Sequence, residues 1–210
     1  KILHNKSINQ LRSKGIFQKV ESKIVDTDNP DQKNISINIE EKPTGEIMAG
    51  AGYGTDGSTF SVGIKENNFN GEGIVLESKL ALSEQTIRGH LNYVHPNFAY
   101  SERELSTSLE SSVTDKLTAF GYKSTLNKIS LGTRYEQFED TFFSPELAIS
   151  SETLDTTSTA SAAYKKQEGS YFDTTFGYGL TLDKRNSAYQ PTSGYFSSWY
   201  QQLPIASDNQ

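Results

Sequence analysis

Apolar and polar residues alternate along most of this chain, with a period of two residues. Between Phe60 and Lys65, for example, every second residue is apolar, and the residues in between are small or polar. Since successive side chains of a β-strand point to opposite faces, this alternation predicts strands with one apolar face. Nine segments of roughly 8–12 residues show it. They lie near residues 46–54, 58–66, 74–82, 87–93, 104–113, 128–136, 143–151, 172–183 and 194–203.

The first 45 residues have a different pattern. Apolar residues recur at helical spacing from Ile2 to Leu11, and Gly15 predicts the end of this helix. A strand from Val20 to Asp26, a turn-rich loop and an alternating strand from Ile35 to Ile39 follow. One helix and two strands are too few to enclose a core, so we expect this domain to begin before Lys1.

The two patterns meet at Pro43-Thr44-Gly45, where the composition also changes. Residues 1–45 carry a net charge of +2 and residues 46–210 a net charge of −8. A change of composition beside a Pro-Thr-Gly turn is typical of a domain junction. We therefore predict two partial domains, residues 1–45 and residues 46–210.

Composition excludes several classes of protein. The 210 residues are 34% hydrophobic with a mean hydropathy of −0.60. No run approaches the roughly 18 apolar residues of a membrane-spanning helix. The lack of cysteine excludes disulfides and zinc–thiolate sites, and the net charge of −6 argues against nucleic acid as a partner.

Both a transmembrane β-barrel and a soluble β-sandwich would show this alternation. Three features favour the barrel. The strands are close to the roughly 9–11 residues that cross a bilayer, aromatic residues gather near strand ends, and the polar faces mix both charge signs with glycine, as a water-filled lumen does. We predict a mainly β fold, in which a partial α+β domain precedes part of an antiparallel transmembrane β-barrel of about nine strands.

Few residues suggest catalysis. Gly52 to Gly57 match G-x-G-x-x-G, the dinucleotide-binding pattern, but the following segment predicts a strand instead of the helix that would bind the pyrophosphate. The carboxylate pairs Glu102/Glu104 and Glu139/Asp140 suit a loop or lumen better than a glycosidase. The three histidines lack metal-ligand spacing. We expect no enzymatic activity, no cofactor and no metal site.

Three glycines alternate along the first predicted strand of the second region. Gly50, Gly52 and Gly54 leave one face of this strand without side chains, which weakens it as a member of a sheet. Bulky neighbours that fill the space would be one explanation. The other is a strand whose backbone edge opens and accepts another chain.

Several motifs, in consistent order, resemble the BamA family of outer-membrane β-barrel assembly factors. The end of the last POTRA domain of that family resembles LRSKGIFQKV and NISINIEEKPTGEI, and the first barrel strand resembles GAGYGTDG. The passage from the second to the third strand resembles GIKENNFNGEGIVL, and the fourth strand with its turn resembles HLNYVHPNF. The eighth strand, its turn and the entry to the ninth resemble LTLDKRNSAYQPTSGYF.

This resemblance implies that residues 1–45 are the C-terminal part of the membrane-proximal POTRA domain and residues 46–210 the N-terminal portion of a larger barrel. In the family, the first barrel strand lies at a lateral seam and templates an incoming client strand. That role would fall on Ile47, Met48, Ala49, Gly50, Ala51, Gly52, Tyr53 and Gly54. The implied structural motif residues are Pro43, Thr44, Gly45, Asn68, Phe69, Gly71, Pro96, Phe98, Asp183, Arg185, Pro191 and Gly194.

The implied function is assembly and insertion of β-barrel proteins into the bacterial outer membrane. The implied partners are client barrel proteins, accessory lipoproteins and membrane lipid, and the N-terminal region would lie in the periplasm. Three alternatives stay open. They are a related POTRA-barrel protein that secretes or assembles passenger proteins (two-partner secretion or autotransporter type), a diffusion porin, and a soluble β-sandwich binding module.

Overall fold

The computed structural model describes residues 2–29, 32–54, 57–186 and 190–209. Within them the chain forms a short N-terminal module and one nine-stranded antiparallel sheet. The predicted mainly β fold is confirmed. The N-terminal module comprises α1 (Ile2–Ser13), β1 (Phe17–Asp26) and β2 (Lys33–Glu41). The nine strands of the large sheet are β3 (Gly45–Gly54), β4 (Gly57–Phe69), β5 (Ile74–Ser83), β6 (Thr86–His95), β7 (Glu104–Lys116), β8 (Tyr122–Phe138), β9 (Thr141–Thr156), β10 (Gly169–Asp183) and β11 (Phe196–Asn209).

The N-terminal module is held together by a few contacts between α1 and β1. Gly15 ends the helical segment with φ +70°, a conformation that glycine adopts at little cost. Ile8, Ile16 and Val20 are buried, and the Arg12 guanidinium donates to the Val20 carbonyl over 3.1 Å. These three apolar side chains are the small core of the module.

Strand β2 is more exposed than its alternating sequence predicts. Ile35, Ile37 and Ile39 remain between 42% and 52% exposed, although they pair with β1 in regular antiparallel register. In this register the three isoleucines share the face of Val20, which α1 covers, so α1 shields β1 and leaves the same face of β2 exposed.

Each strand of the large sheet pairs with its neighbours in the sequence, and the order runs from β3 at one edge to β11 at the other. All nine predicted strands are present, but several are longer than predicted. Strand β8 has 17 residues and β9 has 16, because backbone pairing continues past the ends of the alternating pattern. In the predicted first turn, Thr55 and Asp56 lie outside the described residues.

The stretch from Thr153 to Gly169 is rich in Ser, Thr and Ala, and it is more than a loop. Strand β9 continues to Thr156, and a short helix, Ala162–Lys166, occupies the connection to β10. Its Tyr164 ring stacks on Tyr122 with centroids 4.2 Å apart.

The two faces of the sheet differ as the alternation predicts. One face carries charged residues, and the register places Lys79, His90, Glu110 and Lys128 side by side in a single row across four strands. The other face carries exposed apolar residues. They include Ile47, Val62, Ile64, Leu80, Leu91, Leu109, Ile129, Leu131, Leu147, Leu180 and Leu203.

The apolar residues form a band that crosses the strands obliquely. On β3 the band is centred near Gly50, midway between Ile47 and Tyr53, and on β11 near Gln202, midway between Trp199 and Ile205. When the paired residues are followed from strand to strand, Gly50 on β3 corresponds to Asn209 on β11. The centre of the band on β11, Gln202, lies seven residues away from Asn209. At about 3.3 Å per residue and 4.8 Å per strand, this offset over eight strand pairs is a slant of roughly 30°.

This slant is close to the tilt of strands in β-barrels, about 35–45°. A band that slants by the strand tilt runs level around the barrel axis. A level apolar band is what a barrel presents to the hydrocarbon layer of a membrane. In the part of the chain that the structure describes, no helix has both the length and the hydropathy to span a membrane.

We expect Leu91→Arg to weaken folding into phospholipid vesicles by about 2–4 kcal/mol, because a guanidinium would enter lipid near the middle of the band. Leu91 is 38% exposed on the apolar face. Asn92→Arg is the matched control, since Asn92 follows directly on the opposite face. Urea titration of the vesicle-inserted proteins measures both changes. Equal losses for the two variants would contradict the assignment of the faces.

Candidate functional site

The predicted motif residues gather at one end of the large sheet. This end, called here the base, is where β3 begins and where the turns β4–β5, β6–β7, β8–β9 and β10–β11 lie. The sequence separates these motifs widely, and the antiparallel topology brings them to one side. The motif residues at the base are Pro43, Thr44, Gly45, Asn68, Phe69, Gly71, Pro96, Phe98, Asp183, Arg185, Pro191 and Gly194.

The predicted template residues, Ile47 to Gly54, form most of one edge strand. Among the described strands, β3 pairs with β4 alone, with Ile47 opposite Ile64 and Ala51 opposite Phe60. An edge strand directs every second pair of backbone N–H and C=O groups away from its neighbour. Its apolar-face side chains are open too, and Ile47 is 89% exposed. This edge therefore has the form that β-augmentation requires.

The glycines of β3 do not make room for bulky neighbours. A Cβ at Gly50 would lie 2.9 Å from the Ser61 hydroxyl oxygen, which is small, and one at Gly52 or Gly54 would have no atom within 4 Å. The explanation that bulky neighbours fill the space beside the glycines therefore does not apply at Gly52 and Gly54. The outer half of β3, beyond Gly50, is attached to β4 by its backbone.

The start of β3 is attached differently, through Glu66 at the end of β4. The Glu66 carboxylate accepts hydrogen bonds from the Thr44 hydroxyl and, over 2.7 Å, from the Asn68 backbone N–H. Asn67 donates from its side-chain amide to the Thr44 carbonyl and to the Glu46 carboxylate, each over 3.2 Å. The motifs around Thr44 and Asn68 thus meet at one carboxylate.

Glu66 is a site residue that the sequence pattern missed. It stands opposite Gly45 in the register, and a Cβ at Gly45 would lie 3.3 Å from its carboxylate. One signal was available, because Glu66 is charged where the alternation of Phe60, Val62 and Ile64 calls for an apolar residue. Its hydrogen-bond partner, Thr44, lies 22 residues away in the sequence. The alternation within one strand does not identify a partner in another segment.

The N-terminal module joins the sheet at the same place. The Lys42 N–H donates to the Ile16 carbonyl over 3.2 Å, and the Asn68 amide donates to Glu41 over 3.5 Å. Asn68 also accepts from the Gly73 N–H over 2.8 Å and so closes the β4–β5 turn. One asparagine connects the turn, the end of β2 and the Glu66 carboxylate.

The β6–β7 turn is shaped by backbone conformation and one ring contact. Phe98 packs edge-on against His95 with centroids 5.7 Å apart, and its N–H donates to the Arg103 carbonyl. Pro96 is the first residue of this turn. A cavity of about 800 Å³ lies beside it, between Ser13 at the end of α1 and polar side chains of the base.

The β10–β11 turn is fixed by a bidentate ion pair. The Arg185 guanidinium donates two hydrogen bonds of 2.7 Å to the Asp183 carboxylate, and it lies 4.7 Å from the Phe196 ring centroid. These hydrogen bonds raise the pKa of Arg185 above its usual value. Gly194 has φ +93°, and its α-carbon lies against the Lys184 carbonyl.

Aromatic side chains line the apolar face near the base. Tyr178 contacts Trp199 at 5.2 Å and Phe143 at 6.5 Å between centroids, and Phe143 contacts Tyr135 at 5.8 Å. The Arg103 guanidinium lies 5.1 Å from the Tyr135 centroid. Aromatic rings with adjacent cations are typical of the interface between lipid and water.

The described residues offer little chemistry beyond recognition. Among them no group of three or more His, Asp or Glu residues is arranged to hold a metal ion. The G-x-G-x-x-G pattern ending at Gly57 leads into β4, a strand, as its context predicts. The arrangement therefore supports binding of backbone at the β3 edge.

Comparisons with known proteins agree with this geometry. The model of the Omp85 superfamily domain matches residues 68–209. The crystal structure of BamA from Haemophilus ducreyi lacking POTRA domains 1-3 is similar, with a TM-score of 0.71 and 21% sequence identity over 96% of this chain. The chain spans 42% of that protein's length. At this identity the likeness establishes the fold, in which the nine strands correspond to part of a BamA barrel.

We expect Gly194→Ala to destabilise the protein by about 1–3 kcal/mol, because alanine would be strained at positive φ and its Cβ would strike the Lys184 carbonyl oxygen. Gly71→Ala is the matched control, with φ +75° and no atom within 4 Å. Urea unfolding of the refolded protein in detergent measures the difference. A loss for Gly71→Ala as large as that for Gly194→Ala would show that crowding at the turn is unimportant.

Proposed function

The chain belongs to the Omp85 superfamily, and on that premise we propose that the protein assembles and inserts β-barrel proteins into the bacterial outer membrane. The observation that carries this proposal is the edge strand β3. It has an open backbone edge, exposed apolar side chains and, among the described residues, an outer half that no side-chain hydrogen bond joins to β4. The specific relationship that we infer is to the BamA-type assembly factors.

The mechanism is β-augmentation at the residues from Ile47 to Gly54. Backbone N–H and C=O groups recognise any extended chain, so one edge can serve clients of many sequences. A client strand in lipid must pair all of its backbone polar groups, and an open edge satisfies half of them at once. Pairing and burial in the membrane supply the free energy, so no nucleotide is required.

We also propose an orientation in the membrane. The apolar band would lie in the hydrocarbon layer, and the aromatic residues near Tyr135 and Trp199 would lie at the periplasmic interface. Residues 1–45 would then stand in the periplasm as the C-terminal part of a POTRA domain, with residues 46–210 as the N-terminal portion of the barrel. The order of α1, β1 and β2 and their attachment to the base support this assignment.

The partners that we propose follow from this placement. Client barrel proteins would pair at β3, and lipid would cover the apolar band. Accessory lipoproteins of an assembly complex would bind on the periplasmic side, where the base presents polar and charged groups around Arg103 and Glu102.

Cysteine cross-linking tests the template role. We expect single cysteines placed from Ile47 to Gly54 to form disulfide adducts with a stalled client strand, alternating in strength with the period of two that strand pairing imposes. Ile87→Cys on β6 is the control, because Ile87 is 53% exposed on an interior strand. A lack of adducts at every position of β3, or equal adducts at Ile87, would contradict the proposal.

Depletion of the protein from cells separates assembly from secretion. We expect many unrelated outer-membrane barrel proteins to decrease together, measured by quantitative proteomics of the outer membrane, because backbone recognition is tolerant of sequence. Loss of a single secreted passenger with normal barrel levels would favour a secretion protein. Normal levels of both, with reduced solute permeability, would favour a porin.

A further inference from the structure

The attachment of β3 to β4, its neighbour among the described strands, changes along the strand. Of the residues from Gly45 to Gly54, only Met48 is half-buried, and the others are exposed. The side-chain hydrogen bonds that join the strand to β4 lie before Met48. The two halves of the same strand are therefore held by different means.

At its start, β3 is fastened by side chains. The Glu66 carboxylate accepts from Thr44 and from the Asn68 N–H and lies against Gly45. Asn67 adds two hydrogen bonds of 3.2 Å, to the Thr44 carbonyl and to Glu46. Three hydrogen bonds besides the strand pairing thus join Thr44 and Glu46 to the end of β4, and the fourth, from the Asn68 N–H, holds the Glu66 carboxylate in place.

One further contact follows on the other face. The Met48 methyl group lies over Gly63, where a Cβ would be 3.2 Å from it, and Gly63 is buried. Beyond Met48, a Cβ at Gly50 would still meet the Ser61 hydroxyl oxygen at 2.9 Å, whereas one at Gly52 or Gly54 would have no described atom within 4 Å. Among the described residues, the side-chain hydrogen bonds between β3 and β4 lie at the start of the strand, and none joins Ala51 to Gly54 to β4.

We propose that Glu66 is a positioning residue that anchors the start of β3, so that the strand yields only from Gly50 outward. The inference rests on the proposed function and deepens it. An incoming strand needs a fixed partner to pair in the correct register, since a shift of the register by one residue turns every side chain to the wrong face. The anchored start of β3 supplies that partner, while the glycine half adapts to the client.

Hydrogen exchange measures this without any client. In the full-length protein in lipid nanodiscs, we expect amides of residues 45–48 to exchange at least about tenfold more slowly than those of residues 51–54. Glu66→Ala should accelerate exchange at residues 45–48 by about tenfold, since it removes the acceptor of two hydrogen bonds. Glu66→Gln should restore slow exchange, because its carbonyl oxygen still accepts.

Two controls separate the anchor from general stability. Glu77→Ala removes a carboxylate from the adjacent strand β5 and should leave exchange in β3 unchanged. Exchange in β7 to β9 should be the same in every variant. If Glu66→Ala does not fold, Thr44→Val removes only the hydroxyl donor and must give the same local acceleration. Uniform exchange along β3, or a folded Glu66→Ala with no acceleration at its start, would overturn the proposal.

A client then tests the consequence for register. With cysteines from Ile47 to Gly54 and a stalled client carrying one cysteine, we expect one dominant pairing in the unaltered protein. In Glu66→Ala the same total adduct should spread over pairings shifted by two residues. Unequal exchange with no adduct at any position would contradict the template function and leave the anchor standing. Adducts with unchanged register would overturn the role of Glu66 and leave the function standing.

Discussion

The need to pair every backbone N–H and C=O group governs this structure. In hydrocarbon an unpaired group costs several kcal/mol, so strands that carry an apolar band must lie side by side in a continuous sheet. Each of β4 to β10 is paired on both sides. Among the described strands of the sheet, unpaired backbone is then left at the two edge strands, and β3 is the edge next to the module at the base. The recognition that we propose at that edge would follow from the same physics that holds the sheet together.

Much of the fold is readable from the sequence, because strand alternation is a local property. The nine strands and the short module at the start were predicted from spacing alone, and the glycines of β3 marked an unusual strand. The features that could not be predicted, the role of Glu66 and the slant of the apolar band, depend on the register in which the strands pair. Glu66 gains its role from Thr44 across the β3–β4 pair, and the slant of the apolar band appears only when Gly50 is followed through eight strand pairs. Neither can be seen in one strand.

The base of the sheet carries most of the specific polar contacts described above. Asp183 with Arg185, Asn68 with Gly73, and Glu66 with Thr44 each fix a turn or a strand end. These contacts lie where the apolar band ends, so their polar atoms can also be solvated. Under the proposed anchoring at Glu66, this end of the sheet holds β3 in place while the opposite end of the strand yields.

The oblique band has a consequence for any strand that joins the sheet. The band shifts by about one residue per strand, so the apolar stretch of each strand lies one residue nearer the base, relative to the register, than that of the strand before it. A strand that adds to β3 places its apolar stretch in the membrane only if that stretch is offset from the apolar stretch of β3 by about one further residue. The membrane itself would then select entering strands by where the apolar stretch lies along each strand, whichever apolar residues form it.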